Sequence, residues 1–278
     1  MLVPGELDGG RTELRVDGLI GETFFVTVGE RWATGLHQVD NPVFDASGNL
    51  FVTYSGSRGQ ESPVSVFRVT PGGTREPFVS GIVNATSMVR GPDGHLYVSS
   101  RFEGAVYRVT DDGAHEQIAA DLGVACGMAF GEDGALYVGD RSGTIFRVHE
   151  GHTTTFASLP ASVAAFHLAM SREQELFVSG PTLGTYDHVF CIDRGGHVRS
   201  LPTPFGRPQG MAFSPDGVLH VVDALAGASG LYRLVDLDRP PELVVAGPAL
   251  IGVAFGPSGA LAVCSNDTVY RFEGSGTS

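Results

Sequence analysis

The sequence predicts an all-β protein, a six-bladed β-propeller whose ring is closed by an N-terminal strand. A unit best seen over residues 124–148 reads as three short strands, with an acidic-glycine turn between the first two and a looser loop before the third. Six copies of it recur at a spacing of about 40 to 46 residues, the period of a four-stranded propeller blade. The fourth residue of each first strand marks the copies: Phe44, Arg90, Phe130, Met170, Phe213 and Phe255. No stretch shows sustained helical periodicity, and 39 glycines and 16 prolines suit a chain of frequent turns.

The elements of one blade follow from the same unit. Its first three strands are predicted at Gly127–Phe130, Ala135–Asp140 and Thr144–Val148. Fourth strands are predicted at Glu76–Gly81 and Glu116–Asp121, and Glu30–Gly35 resembles them. The sixth blade has only three strands of its own, so Glu30–Gly35 is predicted to supply its outer strand and to remove the exposed edge of an open ring. An alternative is that residues 24–35 form a separate small β-unit.

Two regions are expected along the chain. Residues 29–278 are predicted to form the propeller, because blades bury their faces only against neighbouring blades. Residues 1–28 do not match the repeat and are predicted to be a short N-terminal β-extension with a hairpin over Thr12–Val28. An alternative is that they are the tail of a preceding domain.

Charge and hydropathy exclude several classes of protein. The net charge of −13, with no cluster of lysine or arginine, disfavours binding to nucleic acid or to an anionic membrane. The chain has no membrane-spanning apolar run and no signal peptide at its start, so a soluble protein is expected, of undetermined compartment and oligomeric state. The cysteines Cys126, Cys191 and Cys264 fall in different blades without zinc spacing, which predicts buried free thiols.

Candidate functional residues come from two columns of the repeat. The residue before the glycine-like position of each first strand is predicted to point toward the propeller axis: Asp40, Thr86, Cys126, Phe166, Gln209 and Ile251. The residue at the end of each second strand is predicted to lie on the same face: Tyr54, Ser100, Asp140, Gly180, Asp223 and Ser265. Polar side chains next to these columns are His37, Asn84, Arg101, Arg141, His167 and Arg207. One end of the channel therefore collects carboxylates, amides, histidines and arginines.

Several of these residues have a structural interpretation beside the functional one. Asp140 and Asp223 are expected to bond backbone amides at strand ends, as aspartate often does. Cys126 is expected to pack rather than to act as a nucleophile, since nothing near it in sequence activates a thiol. Asp40 differs, because a carboxylate at a narrow axial mouth is costly to desolvate without a cation or hydrogen-bond donors. No nucleophile elbow, P-loop, HExxH or EF-hand spacing occurs, so any chemistry is expected to use a cation held by oxygen ligands.

The blade pattern GMAF-x-PDG-x-LYV-x-D…LYR resembles the gluconolactonase and senescence-marker-protein-like group of six-bladed propellers, which overlaps with NHL repeats. The resemblance covers about residues 30–273. It implies a divalent cation, commonly calcium, on the axis and hydrolysis of lactones, with relatives that hydrolyse organophosphate esters. The first ligand of that family is a glutamate before Gly-Pro-Val-Trp, and Asp40 in the segment VDNPVF takes its place.

The resemblance also shows where this chain departs from the family. Phe166 and Cys126 stand where asparagines are expected, and Gln209 stands where an aspartate is expected. His167, one residue after Phe166, is a candidate substitute that would favour a transition metal over calcium.

The predicted function is hydrolysis of a small lactone or ester, with promiscuous phosphotriester cleavage as an extension, through a divalent cation on Asp40 and Gln209. The predicted catalytic residues are His37, His167, Arg207 and Asp223. The predicted substrate-binding residues are Tyr54, Thr86, Arg101, Cys126 and Phe166. One alternative is a non-catalytic scaffold that binds a protein or small ligand on this face, and another is a lyase or isomerase on the same scaffold.

Overall fold

The structure, a computed structural model, describes residues 13–17, 23–27, 29–37, 40–224 and 229–272. In the N-terminal part, β1 (Glu13–Asp17) and β2 (Thr23–Thr27) pair antiparallel as a two-stranded sheet, as the predicted hairpin requires. The rest of the predicted extension, residues 1–12, 18–22 and 28, lies outside the described residues. The division of the chain at residue 28 stays a prediction.

Six four-stranded antiparallel sheets follow, and they form the six-bladed β-propeller that the repeat predicts. Blade 1 contains β4 (Val43–Phe44), β5 (Leu50–Thr53), β6 (Val66–Val69) and β7 (Arg75–Val79). Blade 2 contains β8 (Ala85–Arg90), β9 (Leu96–Ser100), β10 (Ala105–Val109) and β11 (His115–Ala119). Blade 3 contains β12 (Ala125–Phe130), β13 (Leu136–Asp140), β14 (Thr144–His149) and β15 (His152–Ser158).

The remaining blades repeat the arrangement. Blade 4 contains β16 (His167–Met170), β17 (Leu176–Ser179), β18 (Asp187–Ile192) and β19 (Val198–Phe205). Blade 5 contains β20 (Pro208–Phe213), β21 (Leu219–Asp223), β22 (Gly230–Leu234) and β23 (Glu242–Ala246). Blade 6 contains β24 (Leu250–Phe255), a short 3-10 helix over Pro257–Gly259, β25 (Leu261–Ser265) and β26 (Val269–Phe272).

The ring is closed by β3 (Glu30–Ala33), as predicted. It pairs antiparallel with β26, with Ala33 opposite Val269 and Glu30 opposite Arg271, and so becomes the outer strand of blade 6. Trp32 on this strand is buried and stacks on Phe44 of blade 1 at 5.9 Å between ring centroids. The closing strand therefore joins the first and last blades through both its backbone and its side chains.

The buried apolar side chains lie on the faces that each blade presents to its neighbours. Buried apolar side chains form clusters between neighbouring sheets, such as the one that joins Trp32 and Cys264 of blade 6 to Leu50 and Val52 of blade 1. All three cysteines are free and buried, as expected. Each blade thus stabilises the next by burying apolar area that it cannot bury alone.

Most of the innermost strands carry a bulge near their start. In blades 2, 3, 5 and 6 the first strand slips register after its first pair, between Ala85 and Met88, Ala125 and Met128, Pro208 and Met211, and Leu250 and Gly252. A bulge lets two successive residues turn toward the same side. In blade 4, His167 pairs directly with Ser179 and the register has no slip. We call the end where the first strands begin the mouth face, and the opposite end the turn face.

Candidate functional site

Asp40 lies at the mouth face, directly before the first strand of blade 1. Its side chain is only partly exposed, and no other described residue donates a hydrogen bond to its carboxyl group. Burial raises the pKa of Asp40 from 3.8 to about 7, and the positive charge of Arg101 opposes that increase. Asp40 is therefore a carboxyl group that gains and loses its proton near neutral pH.

Two arginines and a thiol surround this position. Burial, together with the charge of Asp40, raises the pKa of the Cys126 thiol to about 12, and a hydrogen bond with the Phe166 backbone and the charges of Arg141 and Arg101 oppose the increase. The Cys126 side chain has no exposed surface and donates to the Val124 carbonyl oxygen at 3.2 Å. Because the thiolate is the reactive form of cysteine, this thiol is inert near neutral pH. Its predicted contact with a substrate stays a prediction.

A polar layer that sequence reasoning missed crosses the axis. Asn41 Nδ2 donates to Ser87 Oγ at 2.6 Å, and Asn41 Oδ1 lies 3.1 Å from His167 Nδ1. Since Oδ1 can only accept, His167 carries its proton on Nδ1 and presents a lone pair on Nε2. Asn41, Ser87 and His167 all occupy the glycine-like position of their strands, and the corresponding residues of the other blades are glycines.

The glycines of that column are required by the close approach of the inner strands. A Cβ on Gly127 would lie 2.4 Å from the carbonyl oxygen of Phe166, and one on Gly210 would lie 2.5 Å from that of Ile251. The column therefore contains three glycines that allow backbone contact and three polar side chains. The replacement of Gly by Asn, Ser and His in three of the six copies was the available sequence signal for the polar layer.

His167 is fully buried, and burial lowers its pKa to about 4. The Gln209 side chain approaches closely enough to favour the protonated ring, yet Nε2 has no partner that meets hydrogen-bond geometry. Burial has the larger effect and therefore sets the direction of the shift in the His167 pKa. His167 is thus a neutral imidazole inside the propeller at all pH values above about 5.

The structure corrects the predicted position of Phe166. Its ring packs between blades 3 and 4, where a Cβ on Gly180 would lie 2.4 Å from it, and Tyr137 and Leu168 belong to the same core cluster. The physical reason is the space that two glycines leave between the blades, since a Cβ on Gly139 would also lie 3.0 Å from the Phe166 side chain. Phe166 is a core residue and does not line the channel.

The strand-end aspartates hold backbone amides, as their structural interpretation predicts. Asp223 accepts from the amides of Gly206 and Arg207 at 2.9 and 2.8 Å, and Asp140 accepts from the amide of Val124 at 2.8 Å. Each carboxylate therefore fixes the segment that leads into its own first strand. The Arg207 side chain is exposed on the mouth face. The catalytic roles of Asp223 and Arg207 stay predictions.

The remaining predicted residues are His37 and Tyr54 beside blade 1 and Thr86 in β8 of blade 2. His37 Nδ1 bonds the carbonyl oxygen of Ser55, and its ring lies 6.1 Å from that of Tyr54. Tyr54 packs edge-on against Phe67. Thr86 is buried and donates to the carbonyl oxygen of Asn84 at 2.8 Å. His37 and Tyr54 are partly exposed, whereas Thr86 is held inside the blade.

The long loop of blade 1 is fixed by Asn84. Asn84 Oδ1 accepts from the amide of Gly59 at 2.7 Å, and its Nδ2 donates to the carbonyl oxygens of Gly56 and Ser57 at 2.9 and 3.0 Å. Asn84 takes a left-handed conformation with φ of 50°, which asparagine tolerates better than most residues. The loop is therefore a fixed wall of the mouth, and Arg101 Nη2 donates to its Ser55 Oγ at 3.3 Å.

The possible ligand atoms around Asp40 and Gln209 show whether the predicted cation would fit there. Asp40 supplies one carboxylate without a hydrogen-bond donor, but Gln209 turns toward His167 and the charge of Arg101 acts on the same carboxylate. Within the described residues no three His, Cys, Asp or Glu side chains lie close enough to hold a metal ion. Calcium takes about six to eight oxygen ligands. This donor set does not fit calcium, and the predicted divalent cation stays a prediction.

A cavity of about 250 Å³ lies at the other end of the axis, on the turn face. Equivalent positions of the six first strands line it: Pro42, Met88, Met128, Leu168, Met211 and Val253. Asn41 and Arg90 also line the cavity, so its lining is part polar and part apolar. Asp40 is not among the lining residues, and the cavity begins at the layer of Asn41, Ser87 and His167.

Comparison with known proteins supports the fold. No protein-family model matches the chain, and no curated protein matches it in sequence. Among solved structures, a gluconolactonase from Xanthomonas campestris superposes with a TM-score of 0.72 at 16% identity, over 87% of both chains. Virginiamycin B lyase from Staphylococcus aureus superposes with a TM-score of 0.61 at 14% identity, over 86% of this chain and 85% of that one.

A luciferin-regenerating enzyme superposes with a TM-score of 0.66 at 15% identity, over 90% of this chain and 96% of that one. The gluconolactonase-family structures share the six-bladed propeller with this chain, so the fold implied by the sequence resemblance is confirmed. Across the residues that the structure describes, no helix is long and apolar enough to cross a membrane.

Proposed function

We propose that the chain is a hydrolase that opens a small lactone or ester at the axial mouth, with Asp40 as the general base. The observation that carries the proposal is the Asp40 carboxyl group, which lies partly exposed at the mouth with a pKa of about 7 and without a hydrogen-bond donor among the described residues. A general base is most effective when its pKa is close to the working pH. The shared fold with a gluconolactonase agrees with this activity.

The proposed reaction needs only a water molecule and groups of the mouth. The Asp40 carboxylate takes a proton from water as the water oxygen attacks the carbonyl carbon, and the carbonyl electrons move to oxygen. The positive charge of Arg101, which acts on Asp40, stabilises that oxyanion. When the oxyanion collapses, the bond to the alcohol oxygen breaks, and protonated Asp40 returns its proton to the leaving alkoxide.

The predicted cation and the predicted phosphotriester activity would extend this proposal, but the reaction described above does not depend on either. A divalent cation at Asp40 would polarise the carbonyl oxygen, and phosphotriesters would be a second substrate class. The histidines predicted as bases differ in access: His167 is fully buried, whereas His37 is partly exposed but bonded to the carbonyl of Ser55. Asp40 is therefore the better base.

The first prediction concerns Asp40→Asn. Hydrolysis of a panel of small lactones and aryl esters should fall by about 10² to 10⁴-fold, because the amide cannot accept the proton of water. The matched control is Asp121→Asn, an exposed aspartate with φ of 59°, a conformation that asparagine also adopts. Equal turnover by wild type and Asp40→Asn would exclude this role.

The pH dependence gives an independent check of the same proposal. Because Asp40 acts in its deprotonated form, log(kcat/KM) should rise with pH up to about 7 and level off above it. A measurement with and without chelator, together with the metal content of the purified protein, tests the predicted cation. A chelator-sensitive rate would establish metal dependence, whereas an insensitive rate with this pH profile would establish the metal-free reaction.

The scaffold alternative is favoured by exposed apolar side chains on the mouth face. Leu183 is 92% exposed, Tyr186 63% and Phe102 51%, and all three lie in loops of that face. A binding protein would show no turnover of any lactone or ester. A lyase would be recognised in heavy-oxygen water, because hydrolysis places one labelled oxygen in the acid product and elimination places none.

A further inference from the structure

We infer that a groove between blades 1 and 2 is a second binding site, which takes a small aromatic carboxylate and holds its carboxylate group on Arg90. The groove has a volume of about 520 Å³ and lies on the turn face, where Asp45, Ser47 and Gly94 of the strand-connecting turns line it. Asp40 lies at the opposite end of blade 1, so binding in this groove is independent of the proposed hydrolysis.

Arg90 replaces an apolar side chain of the repeat. The fourth residue of the first strand is apolar in the other five blades. In three of them its ring packs on the second strand of the preceding blade, with ring centroids 4.8 to 5.4 Å apart: Tyr97 with Phe130, Phe177 with Phe213, and His220 with Phe255. The corresponding ring of blade 1 is Phe51, and the carbon of the Arg90 guanidinium lies 5.8 Å from its centroid. Blade 2 therefore places a guanidinium where other blades place a ring.

The floor of this groove is apolar and open to a flat ring. Phe51 is buried and packs edge-on against Phe78 with the centroids 4.9 Å apart. A Cβ on Gly94 would meet no atom within 4 Å, so the groove is open on that side. The equivalent groove between blades 2 and 3, which Phe130 lines, measures about 340 Å³ and is smaller. An aromatic ligand would contact Phe51 much as Phe130 contacts Tyr97.

One side of the Arg90 guanidinium has hydrogen-bond donors for a ligand. Nη1 donates to the carbonyl oxygen of Gly94, whereas Nε is buried and has no hydrogen-bond partner among the described residues. Nε and Nη2 form the side of the group that Arg68 turns toward Glu76, donating to Oε2 at 3.1 and 2.6 Å. A buried donor without a partner is costly, and this pair of N–H groups matches the two oxygens of a carboxylate.

The bond to a backbone carbonyl does not by itself distinguish Arg90. Arg75 and Arg172 also donate to carbonyl oxygens, and Arg271 also has a buried Nε without a partner, beside the Trp32 ring at the seam. Arg90 differs from these three because it joins the free Nε to an apolar groove that it lines itself.

Two acidic residues also line the groove, and neither bonds Arg90. Asp45 Oδ1 accepts from the amides of Ser47 and Asn49 at 2.9 and 2.8 Å, and its Oδ2 accepts from Asn49 Nδ2 at 2.7 Å, so both oxygens are held in their own turn. Asp111 lies on the exposed rim. Both carboxylates keep their negative charge, so the ligand is selected by the paired N–H groups and the apolar floor rather than by a net positive charge.

The test measures binding of 4-fluorobenzoate by fluorine NMR, with 4-fluorobenzamide as the probe without charge and trifluoroacetate as the probe without a ring. Wild type should bind 4-fluorobenzoate with a Kd below about 1 mM and each of the other probes at least about tenfold more weakly. Arg90→Phe should abolish binding, because the new ring fills the groove. Arg90→Lys, which keeps the charge but loses the paired N–H groups, should weaken binding about tenfold. Arg172→Lys, the same change in an arginine that also bonds a carbonyl, is the control and should leave the Kd unchanged.

Each outcome decides for or against the groove. No saturable binding of 4-fluorobenzoate by the wild type would overturn the site, and equal binding of 4-fluorobenzamide would overturn its selection of a carboxylate. Phe already stands at this position in four blades, so Arg90→Phe should fold, which far-UV circular dichroism checks. Binding that survives in this variant would overturn the assignment to the groove. Asp40→Asn should bind 4-fluorobenzoate as the wild type does, and a loss of binding would assign the ligand to the mouth instead.

Discussion

Asp40 imposes a cost on folding that follows from its pKa. An unfolded chain would titrate this carboxyl near its ordinary value of 3.8, whereas the folded protein holds it at about 7. Between these values the folded state binds the extra proton, so this group favours folding less and less as the pH rises from about 4 to 7, and its full cost is present above 7. Such a cost is typical of a group kept for activity rather than for stability.

The second prediction is therefore that Asp40→Asn stabilises the protein while it lowers turnover. The gain in the free energy of unfolding should be roughly 2–4 kcal/mol at pH 8 and should vanish near pH 4, where the wild-type carboxyl is protonated in both states. Urea denaturation of both proteins at the two pH values measures it. If the gain at pH 8 is absent without chelator and appears after chelator treatment, a bound cation compensates the charge of Asp40 in the wild type. If the gain is absent in both conditions, the raised pKa of Asp40 is contradicted.

His167 has the opposite pH dependence. Its folded pKa of about 4 lies below the ordinary value of 6.5, so its contribution to stability is present above pH 6.5 and is lost as the pH falls toward 4. As the pH falls through the same window, the protonation of Asp40 stabilises the folded protein. The two groups partly cancel in wild type, which is why the comparison of Asp40→Asn with wild type is more informative than either pH profile alone.

For single residues, the sequence was informative where the same position of the repeat can be compared in every blade. Asp40 was found because it is a carboxylate in a column that the repeat directs to the axis. Phe166 was misplaced because the space for its ring, beside Gly139 and Gly180, depends on how strands of neighbouring blades pack. Asn41 and Ser87 were missed because their contact joins different blades across the axis, and no local pattern encodes a distance between them.

Among the elements, the closing strand β3 joins the first and last blades of the ring. Trp32 packs on Phe44, its Nε1 donates to the carbonyl oxygen of Pro71 at 3.3 Å, and the Arg271 guanidinium lies 5.2 Å from the centre of its ring. One side chain therefore contacts blades 1 and 6 at the seam.

The third prediction is that Trp32→Ala destabilises the protein by about 3–5 kcal/mol, the usual cost of removing a large buried aromatic side chain. Arg31→Ala, on the exposed side of the same strand, is the control and should cost about 0.5 kcal/mol or less. Chemical denaturation measures both. Equal, small effects would show that the seam adds little to the stability of the ring.

The sequence predicted the elements better than their ends. The closing strand was predicted at Glu30–Gly35 and is Glu30–Ala33, and the fourth strand of blade 1 was predicted at Glu76–Gly81 and is Arg75–Val79. Alternating apolar residues and Asp-Gly turns identify a strand and its partner. Strand ends and bulges depend on inter-strand hydrogen bonds, which a single strand does not specify.

At the scale of the whole molecule, the propeller separates two environments along one axis. The layer of Asn41, Ser87 and His167 lies between Asp40 at the mouth and the cavity of the turn face, which Asn41 itself borders. The burial that raises the pKa of Asp40 also strengthens the opposing effect of the Arg101 charge, because charges interact more strongly where water is excluded.

The last prediction is that the propeller unfolds as one unit. Each blade buries its faces against two neighbours, and β3 joins the last blade to the first, so the loss of one blade exposes the cores of both adjacent blades. The chain contains a single tryptophan, Trp32, which lies at the seam. Its fluorescence therefore reports the opening of the ring, while far-UV circular dichroism reports the strands of all six blades. In urea the two transitions should coincide in midpoint and slope. A fluorescence transition at lower urea would show that the seam opens first and that the closed ring is not required for the remaining blades to stay folded.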